Sequence, residues 1–217
     1  MAVLKNQTKW EDLYYYRKCV VLYQMTVAFC RRFLPKYGDR TVDQMVQAAR
    51  SGKQNIVEGL ADGVTSTEME LKLLNVARAS IKELKEDYLD YITAHALSLW
   101  DAKHPRYDAL LKFCRAHNDL DDYAPHMEKW SDGEISNCAV TLCHMVDKML
   151  ATVLAKKAAD FTENGGIRER MTAARLGRRK TQNEEIAALK RRIASLESEN
   201  AALKEKLRRA GARGLGD

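Results

Sequence analysis

The chain has 217 residues, of which 46% are hydrophobic and 30% are charged, and only three are prolines. This length suits one domain with an extension, and the composition is normal for a globular chain with long uninterrupted helices. Residues 1–166 hold 22 basic and 23 acidic side chains, so the net charge of +6 comes entirely from residues 167–217. This distribution excludes a uniformly basic protein, and a site for a polyanion is expected first in the tail.

Cysteine usage and hydropathy indicate the compartment. Five cysteines, at positions 19, 30, 114, 138 and 143, are an odd number at wide spacing. Residues 1–13 contain no apolar segment typical of a secretory signal, and no run approaches the roughly 20 apolar residues of a membrane span. We therefore expect a cytoplasmic protein with reduced thiols and no membrane partner.

Two helices are predicted in the first sixty residues. The first, over about 9–34, starts at a capping pair of Thr8 and Glu11. Its apolar residues recur every seven positions, at Leu13, Val20, Val27 and Leu34. The second helix, over about 41–60, carries Gly52 near its middle. Because a mid-helix glycine costs about 1 kcal/mol relative to alanine, we expect another element to pack closely against it.

A third helix is predicted from the Thr-Ser-Thr sequence at 65–67 to about residue 92. The short connection makes the second and third helices antiparallel neighbours. Polar residues interrupt their apolar stripes, and we predict an interhelix network of Asn55, Glu58, Arg78 and Ser80 with a buried Glu–Arg pair. Two interpretations stay open: the network fixes the register of the helices, or it binds a ligand or acts in catalysis.

Residues 96–133 are expected to form a connector with one short helix inside it. A fourth long helix begins at the capping pair of Ser131 and Glu134 and ends before an Asn-Gly-Gly sequence at 164–166. Residues 1–166 are therefore predicted to form an up-down four-helix bundle with a helical insert.

Residues 167–180 form a basic linker in the predicted architecture. Six side chains in it are candidates for contact with nucleic acid: Arg168, Arg170, Arg175, Arg178, Arg179 and Lys180. The sequence from Arg170 to Arg175 is similar to the core of the basic-zipper DNA-binding motif, with Arg170 in place of the base-reading Asn. Three interpretations stay open: sequence-specific DNA binding, phosphate contact with RNA or DNA, and a solvated linker.

Residues 181–210 carry a heptad repeat that begins at a capping pair of Thr181 and Glu184. Its a and d positions, the candidate oligomerisation residues, are Ile186, Leu189, Ile193, Leu196, Asn200, Leu203 and Leu207. Asn at an a position favours two-stranded, in-register pairing. In a parallel homodimer the g and e′ residues have opposite charges, in the pairs Glu185–Lys190, Arg192–Glu197 and Glu199–Lys204. We predict a parallel coiled coil followed by a flexible tail at 211–217.

The predicted hairpin also carries a family resemblance. The matching residues are Ser51, Asn55, Ile56, Glu58, Gly59, Ser66, Leu74, Ala77, Ser80, Glu83 and Leu84. They resemble the four-helix-bundle proteins encoded in intervening sequences of bacterial ribosomal RNA genes, and the accessory proteins of diversity-generating retroelements. The stretches 40–59, 65–80 and 103–114 are most similar to four-helix-bundle suffix-domain proteins. The resemblance covers about residues 8–160 and implies a ring-like oligomer and a nucleic-acid-binding partner of a reverse transcriptase.

No catalytic or metal-binding motif stands out in the sequence. It contains no CxxC and no HExxH, and Cys114 and His117 form an isolated pair without the four ligands typical of structural zinc. Glu58 has no second acid or histidine in its pattern, as a general base would need. We therefore expect no metal, no cofactor and no enzymatic activity.

The sequence as a whole predicts an all-α protein, a four-helix bundle followed by a parallel coiled coil. The first functional hypothesis is an oligomeric scaffold or adaptor that binds itself and a partner protein or ribonucleoprotein. The alternative is a nucleic-acid-binding accessory factor, similar to the partner of a reverse transcriptase, that binds RNA or DNA through the basic linker. An enzyme of unidentified type is the third hypothesis.

Overall fold

The computed structural model describes residues 9–35 and 40–213, and within these ranges every regular element is a helix. The predicted all-α class is confirmed. A short 3-10 helix, Trp10–Asp12, comes first. The α-helices are α1 (Tyr14–Phe33), α2 (Arg40–Asp62), α3 (Thr67–Ala94), α4 (Tyr107–Ala116), α5 (Leu120–Met127), α6 (Asp132–Asn164) and α7 (Ile167–Arg213).

Helix α1 starts later than predicted, and only part of its predicted apolar face lies at the centre of the core. Leu13 has extended backbone and separates the 3-10 helix from α1, so the helix does not begin at about residue 9. Thr8 of the predicted capping pair lies outside the described residues. Val27 is 36% exposed, and the buried stripe runs instead through Cys19, Leu22, Met25 and Phe29. Apolar residues lie on nearly every side of this helix, so periodicity alone did not select the correct face.

Helices α2 and α3 pack extensively on each other, and glycines on α2 allow their close approach. A Cβ at Gly52 would lie 2.7 Å from Cδ1 of Ile81, and a Cβ at Gly59 would lie 3.2 Å from Cβ of Leu73. The two contacts run in opposite order along the helices, which are therefore antiparallel. The close packing predicted at Gly52 is confirmed.

Helix α6 begins where the sequence predicted. The Ser131 hydroxyl accepts from the Glu134 amide at 3.2 Å, and the Glu134 carboxylate accepts from the Ser131 amide at 2.9 Å. Gly165 has φ 68° and ψ 176° at the C-terminal cap, a positive-φ conformation that glycine adopts readily. Three polar pairs run in opposite order along α3 and α6 and show that these helices are antiparallel: Glu70–Lys157, Arg78–Asp147 and Tyr91–Asp132.

The core lies among α1, α2, α3 and α6. Helix α1 packs on α2 and α6, and α3 packs on the same two helices, so each of the four contacts two others. Fully buried side chains at the centre are Leu22, Met25, Phe29, Met45, Ile56, Leu74, Ile81, Leu84, Tyr88 and Ile135. The Tyr88 hydroxyl donates to Thr26 at 3.0 Å, which satisfies a polar group in this core.

The connector between α3 and α6 contains two short helices, α4 and α5, where one was predicted. The acidic residues after Asn118 begin the additional helix, because Asp119 is the N-cap of α5 and forms a capping box with Asp122. The Asp119 carboxylate also accepts from the Arg17 guanidinium of α1. The connector is thereby tied to the core.

The chain divides into two compact units between Ile167 and Arg168. Helix α7 begins at Ile167, so the predicted linker is helical, and Thr181 does not begin a helix. Its hydroxyl donates to the Gly177 carbonyl one turn earlier, at 3.3 Å. Gly177 is the residue of this stretch that most disfavours a helix, but a single glycine costs a helix only about 1 kcal/mol relative to alanine.

Within Asp132–Arg209, one 18-residue window has a mean hydropathy of 1.5 and is long and apolar enough to cross a membrane. No such run was expected from the sequence. Of this window 33% is buried inside the protein, and the core helix of a soluble protein passes the same test. The window is weak support for membrane association, and the cytoplasmic location stays a prediction.

Candidate functional site

The predicted polar network between α2 and α3 is centred on Ser51, which the prediction did not include. The Ser80 hydroxyl donates to the Ser51 hydroxyl at 3.0 Å. The Asn55 amide donates to the hydroxyl of Ser51 at 3.0 Å and to its carbonyl at 2.9 Å. Asn55 and Ser80 are therefore connected through Ser51, and the network joins the two helices.

Glu58 and Arg78, both in the described part of the chain, do not form the predicted ion pair. The Arg78 Nε donates to the Asp147 carboxylate of α6 at 2.6 Å, and Glu58 is exposed. The packing of Gly59 beside Leu73 explains this result. Arg78 lies five residues beyond Leu73, about 7.5 Å farther along α3. The apolar pattern predicted the facing sides of the helices but not their register.

An open cleft of about 680 Å³ lies over this network. Its lining is Arg40, Asp43, Gln44, Gln47, Ala48, Ser51, Ser80, Glu83 and Asp87. Burial raises the pKa of Asp87, and the carboxylates of Asp90 and Glu83 raise it further. Three carboxylates and one guanidinium suit the binding of a cationic or amide group. The described lining offers no His, Cys or Lys, the usual partners of an activated hydroxyl.

Lys18 links α1 to the C-terminal end of α4, and sequence reasoning missed it. This side chain is 1% exposed, and its Nζ donates to the Cys114 carbonyl at 2.5 Å and to the His117 carbonyl at 2.9 Å. Carbonyls at a helix C-terminus lack intrahelical partners and favour a cation. Burial lowers the pKa of Lys18. Its position on the buried stripe beside Cys19 was the available signal.

The five cysteines are free and buried. The thiols of Cys114 and Cys138 lie 3.8 Å apart. Their hydrogen bond lowers the pKa of Cys114 against the effect of burial, whereas burial raises the pKa of Cys138. The Nδ1 atom of His117 contacts the Phe113 carbonyl at 2.9 Å. Within residues 9–35 and 40–213, no group of three or more His, Cys, Asp or Glu is placed to hold a metal ion.

Helix α7 presents the a and d residues from Ile186 to Leu207, the heptad stripe, to solvent. Its large apolar side chains are exposed by 40% at Leu196 and by as much as 71% at Leu207. Asn200 is exposed among them. Side chains of this size and regular spacing are ordinarily covered, because each exposed apolar area costs free energy in water. A covering partner is the simplest use of such a surface.

The six basic candidates lie on the first four turns of α7. Arg168, Arg175, Arg178, Arg179 and Lys180 are exposed, and Arg170 is half-buried. The helix carries them around its circumference in the interval before the heptad stripe begins. This interval can contact an anion without any change in secondary structure.

Comparison with protein-family models, with curated proteins and with solved structures gives no match to this chain. The resemblance to the ribosomal intervening-sequence and retroelement accessory proteins therefore stays a prediction.

Proposed function

We propose that this protein is a non-enzymatic scaffold in which two copies pair through α7 and the larger unit of each binds a partner protein or ribonucleoprotein. The observation that carries the proposal is the heptad stripe. It exposes six large apolar side chains at coiled-coil spacing over more than three heptads. A helix of this kind gains most of its stability from packing against a partner helix.

Charge complementarity favours a second copy of the same chain, in parallel orientation, as that partner. Each g residue faces the e′ residue five positions later, and the three pairs in the stripe are all opposite in sign. Asn200 supports the same arrangement, because two asparagine amides at one a layer satisfy each other only when the copies are in register. The proposed unit is therefore a parallel, two-stranded coiled coil.

The larger unit supplies the docking surface in this proposal. The mutual packing of α1, α2, α3 and α6 supports an up-down four-helix bundle, and the polar cleft of about 680 Å³ over Ser51 and Ser80 gives it a concave surface. The resemblance of the hairpin implies a ribonucleoprotein with a reverse transcriptase as one class of partner. Because two copies pair through α7 in this proposal, each assembly carries two such surfaces.

Multi-angle light scattering of the full chain tests the self-association. The expected mass is twice the chain mass of 24.7 kDa. The double variant with Leu189→Glu and Leu196→Glu places charges at two d positions, and we expect it to be monomeric. The matched control is Ala188→Glu with Ala202→Glu, which adds the same charge at outward c positions and should stay dimeric. A monomeric unmodified chain at micromolar concentration contradicts the proposal.

A further inference from the structure

The heptad register continues upstream of the stripe, and arginines then replace its apolar residues. Counting back from Ile186 in steps of a heptad places Arg179 at an a position and Arg175 and Arg168 at d positions. All three are exposed on a continuous helix. The a and d positions of α7 are apolar from residue 186 onward, except at Asn200. Of the five a and d positions before residue 186, three are arginines and the other two are Thr172 and Gln182.

A parallel dimer brings these arginines of the two copies together. Three guanidinium groups of one copy face three of the other across the seam, and like charges at facing positions oppose close pairing. The surrounding Arg178 and Lys180 add to the positive potential, and Glu169 is the single acid of the interval. The two helices can pair tightly along the heptad stripe, whereas the preceding interval carries a repulsion that an anion between the copies would relieve.

We propose that the two Arg168–Lys180 intervals of a dimer, the basic fork, bind the phosphate backbone of duplex nucleic acid between them. This inference rests on the proposed dimer, since only pairing places two cationic seams on either side of one ligand. Arginine presents a planar fork of donors that matches phosphate oxygens. Each copy presents its basic side chains along about 18 Å of helix, so a dimer can make many contacts with a polyanion. Duplex RNA and duplex DNA both offer a phosphate backbone for these contacts.

The distribution of apolar residues favours nucleic acid over a lipid surface. A helix that binds a membrane interface needs one continuous apolar face opposite its basic face. In the basic fork the large apolar residues are Met171 and Leu176, five positions and therefore about 140° apart around the helix. They form no common face. Contact with phosphates requires no base-specific binding, and the fork contains no Asn or Gln, the residues that pair with adenine.

The test is a titration of the full chain with a 20-base-pair RNA duplex and the equivalent DNA duplex, at two salt concentrations. The variant Arg175→Gln with Arg179→Gln removes two seam charges per copy. The control, Arg191→Gln with Arg208→Gln, removes the same charge from outward positions of α7. We expect the seam variant to lose affinity by about tenfold or more, and its log–log salt slope to fall by about 3 to 4. The control should bind like the unmodified chain.

Light scattering on the same samples separates this inference from the proposed dimer. A dimeric protein that binds neither duplex overturns the basic fork and leaves the dimer standing, whereas a monomeric protein overturns both. Equal losses in the seam variant and its control also overturn the fork, because charge alone would then account for binding. Tighter binding to vesicles of phosphatidylserine and phosphatidylcholine than to either duplex overturns it in favour of a membrane surface. If one duplex binds far better than the other, that result identifies the nucleic acid.

Discussion

The ammonium group of Lys18 donates to two backbone carbonyls at the end of α4. Its removal takes this donor from the buried Cys114 carbonyl, whereas the His117 carbonyl still accepts from the Tyr123 hydroxyl at 3.1 Å. A hydrogen bond from a charged donor contributes about 1.5–3 kcal/mol, so we expect Lys18→Met to lower the free energy of unfolding by about 2 kcal/mol or more. Urea unfolding followed by circular dichroism measures it. Lys112→Met, on an exposed residue of α4 itself, is the control. Equal unfolding midpoints for the two variants would show that Lys18 does not fasten α4.

Cys19 makes the fold sensitive to alkaline pH. Burial raises the pKa of its thiol from 9.0 to about 12. Because the folded value lies above the unfolded one, the stabilisation is complete below pH 9 and is lost progressively as pH rises to about 12. At pH 10.5 the expected loss from this group is about 2 kcal/mol. Tyr15, whose pKa burial raises to about 12, adds to the loss above pH 10. The lowered pKa of Lys18 acts in the opposite direction.

Urea unfolding at pH 8 and pH 10.5 tests the contribution of Cys19. Cys19→Ala removes the titrating thiol, so its stability should fall less between the two pH values than that of the unmodified protein, although it starts lower because of the cavity. An identical fall in both proteins contradicts the assignment.

At the scale of the helical elements, the α2–α3 contact depends on the absent side chain of Gly52. An alanine there gains about 1 kcal/mol of helix propensity, but its Cβ would lie 2.7 Å from Cδ1 of the fully buried Ile81. Overpacking of a core costs about 1–3 kcal/mol, so we expect Gly52→Ala to be destabilising. Ile81→Val removes that Cδ1 atom. The double variant should therefore be more stable than the sum of the two single effects, and additive free energies of unfolding would contradict this packing.

The four long helices of the larger unit could be predicted because each carries a local signal, whereas α5 was not predicted. The limits of α6 were predicted from the capping pair of Ser131 and Glu134 and from the glycines after Asn164. The close contact between α2 and α3 was predicted from Gly52. No local signal in the sequence indicates how one helix is positioned along another. Glu58 and Arg78 face the same side of the hairpin in sequence, but the register of α2 against α3 separates them.

Buried polar groups were the other class that the sequence could not place. Lys18 has the charge of a solvated residue, and only the position of α4, nearly one hundred residues later, supplies its two acceptors. The predicted start of α1 was wrong for a related reason. The extended backbone at Leu13 interrupts the helix, although the apolar pattern of the sequence continues through this residue. Long-range contacts decide both cases, and periodicity does not report them.

At the scale of the whole molecule, charge and apolar surface are divided between the two units. Residues 1–166 are almost neutral and bury most of their large apolar side chains, whereas α7 carries the basic excess and exposes its heptad stripe. This division agrees with a larger unit that docks a partner and a helix that determines the number of copies. The proposed polyanion site lies in the part of the chain where the proposed pairing would double the local charge.

Asn200 is expected to hold the assembly at two strands. A polar residue at an a position specifies the oligomeric state at a cost in stability. Asn200→Leu should therefore raise the thermal midpoint of α7 and add species larger than a dimer in light scattering. Ser198→Leu, at the outward f position, is the control and should leave the mass unchanged. An unchanged mass for Asn200→Leu would count against the proposed role of the asparagine layer.

The most direct measurement is disulfide crosslinking of Asn200→Cys under oxidised glutathione. In a parallel, in-register pair the two residues at one a layer are within the Cα separation that a disulfide requires, and the native cysteines are buried. We predict rapid formation of a covalent dimer of twice 24.7 kDa on a non-reducing gel. Ala202→Cys, at an outward c position, should crosslink far more slowly. Equal rates for the two variants, or no dimer, would contradict the parallel coiled coil on which this account depends.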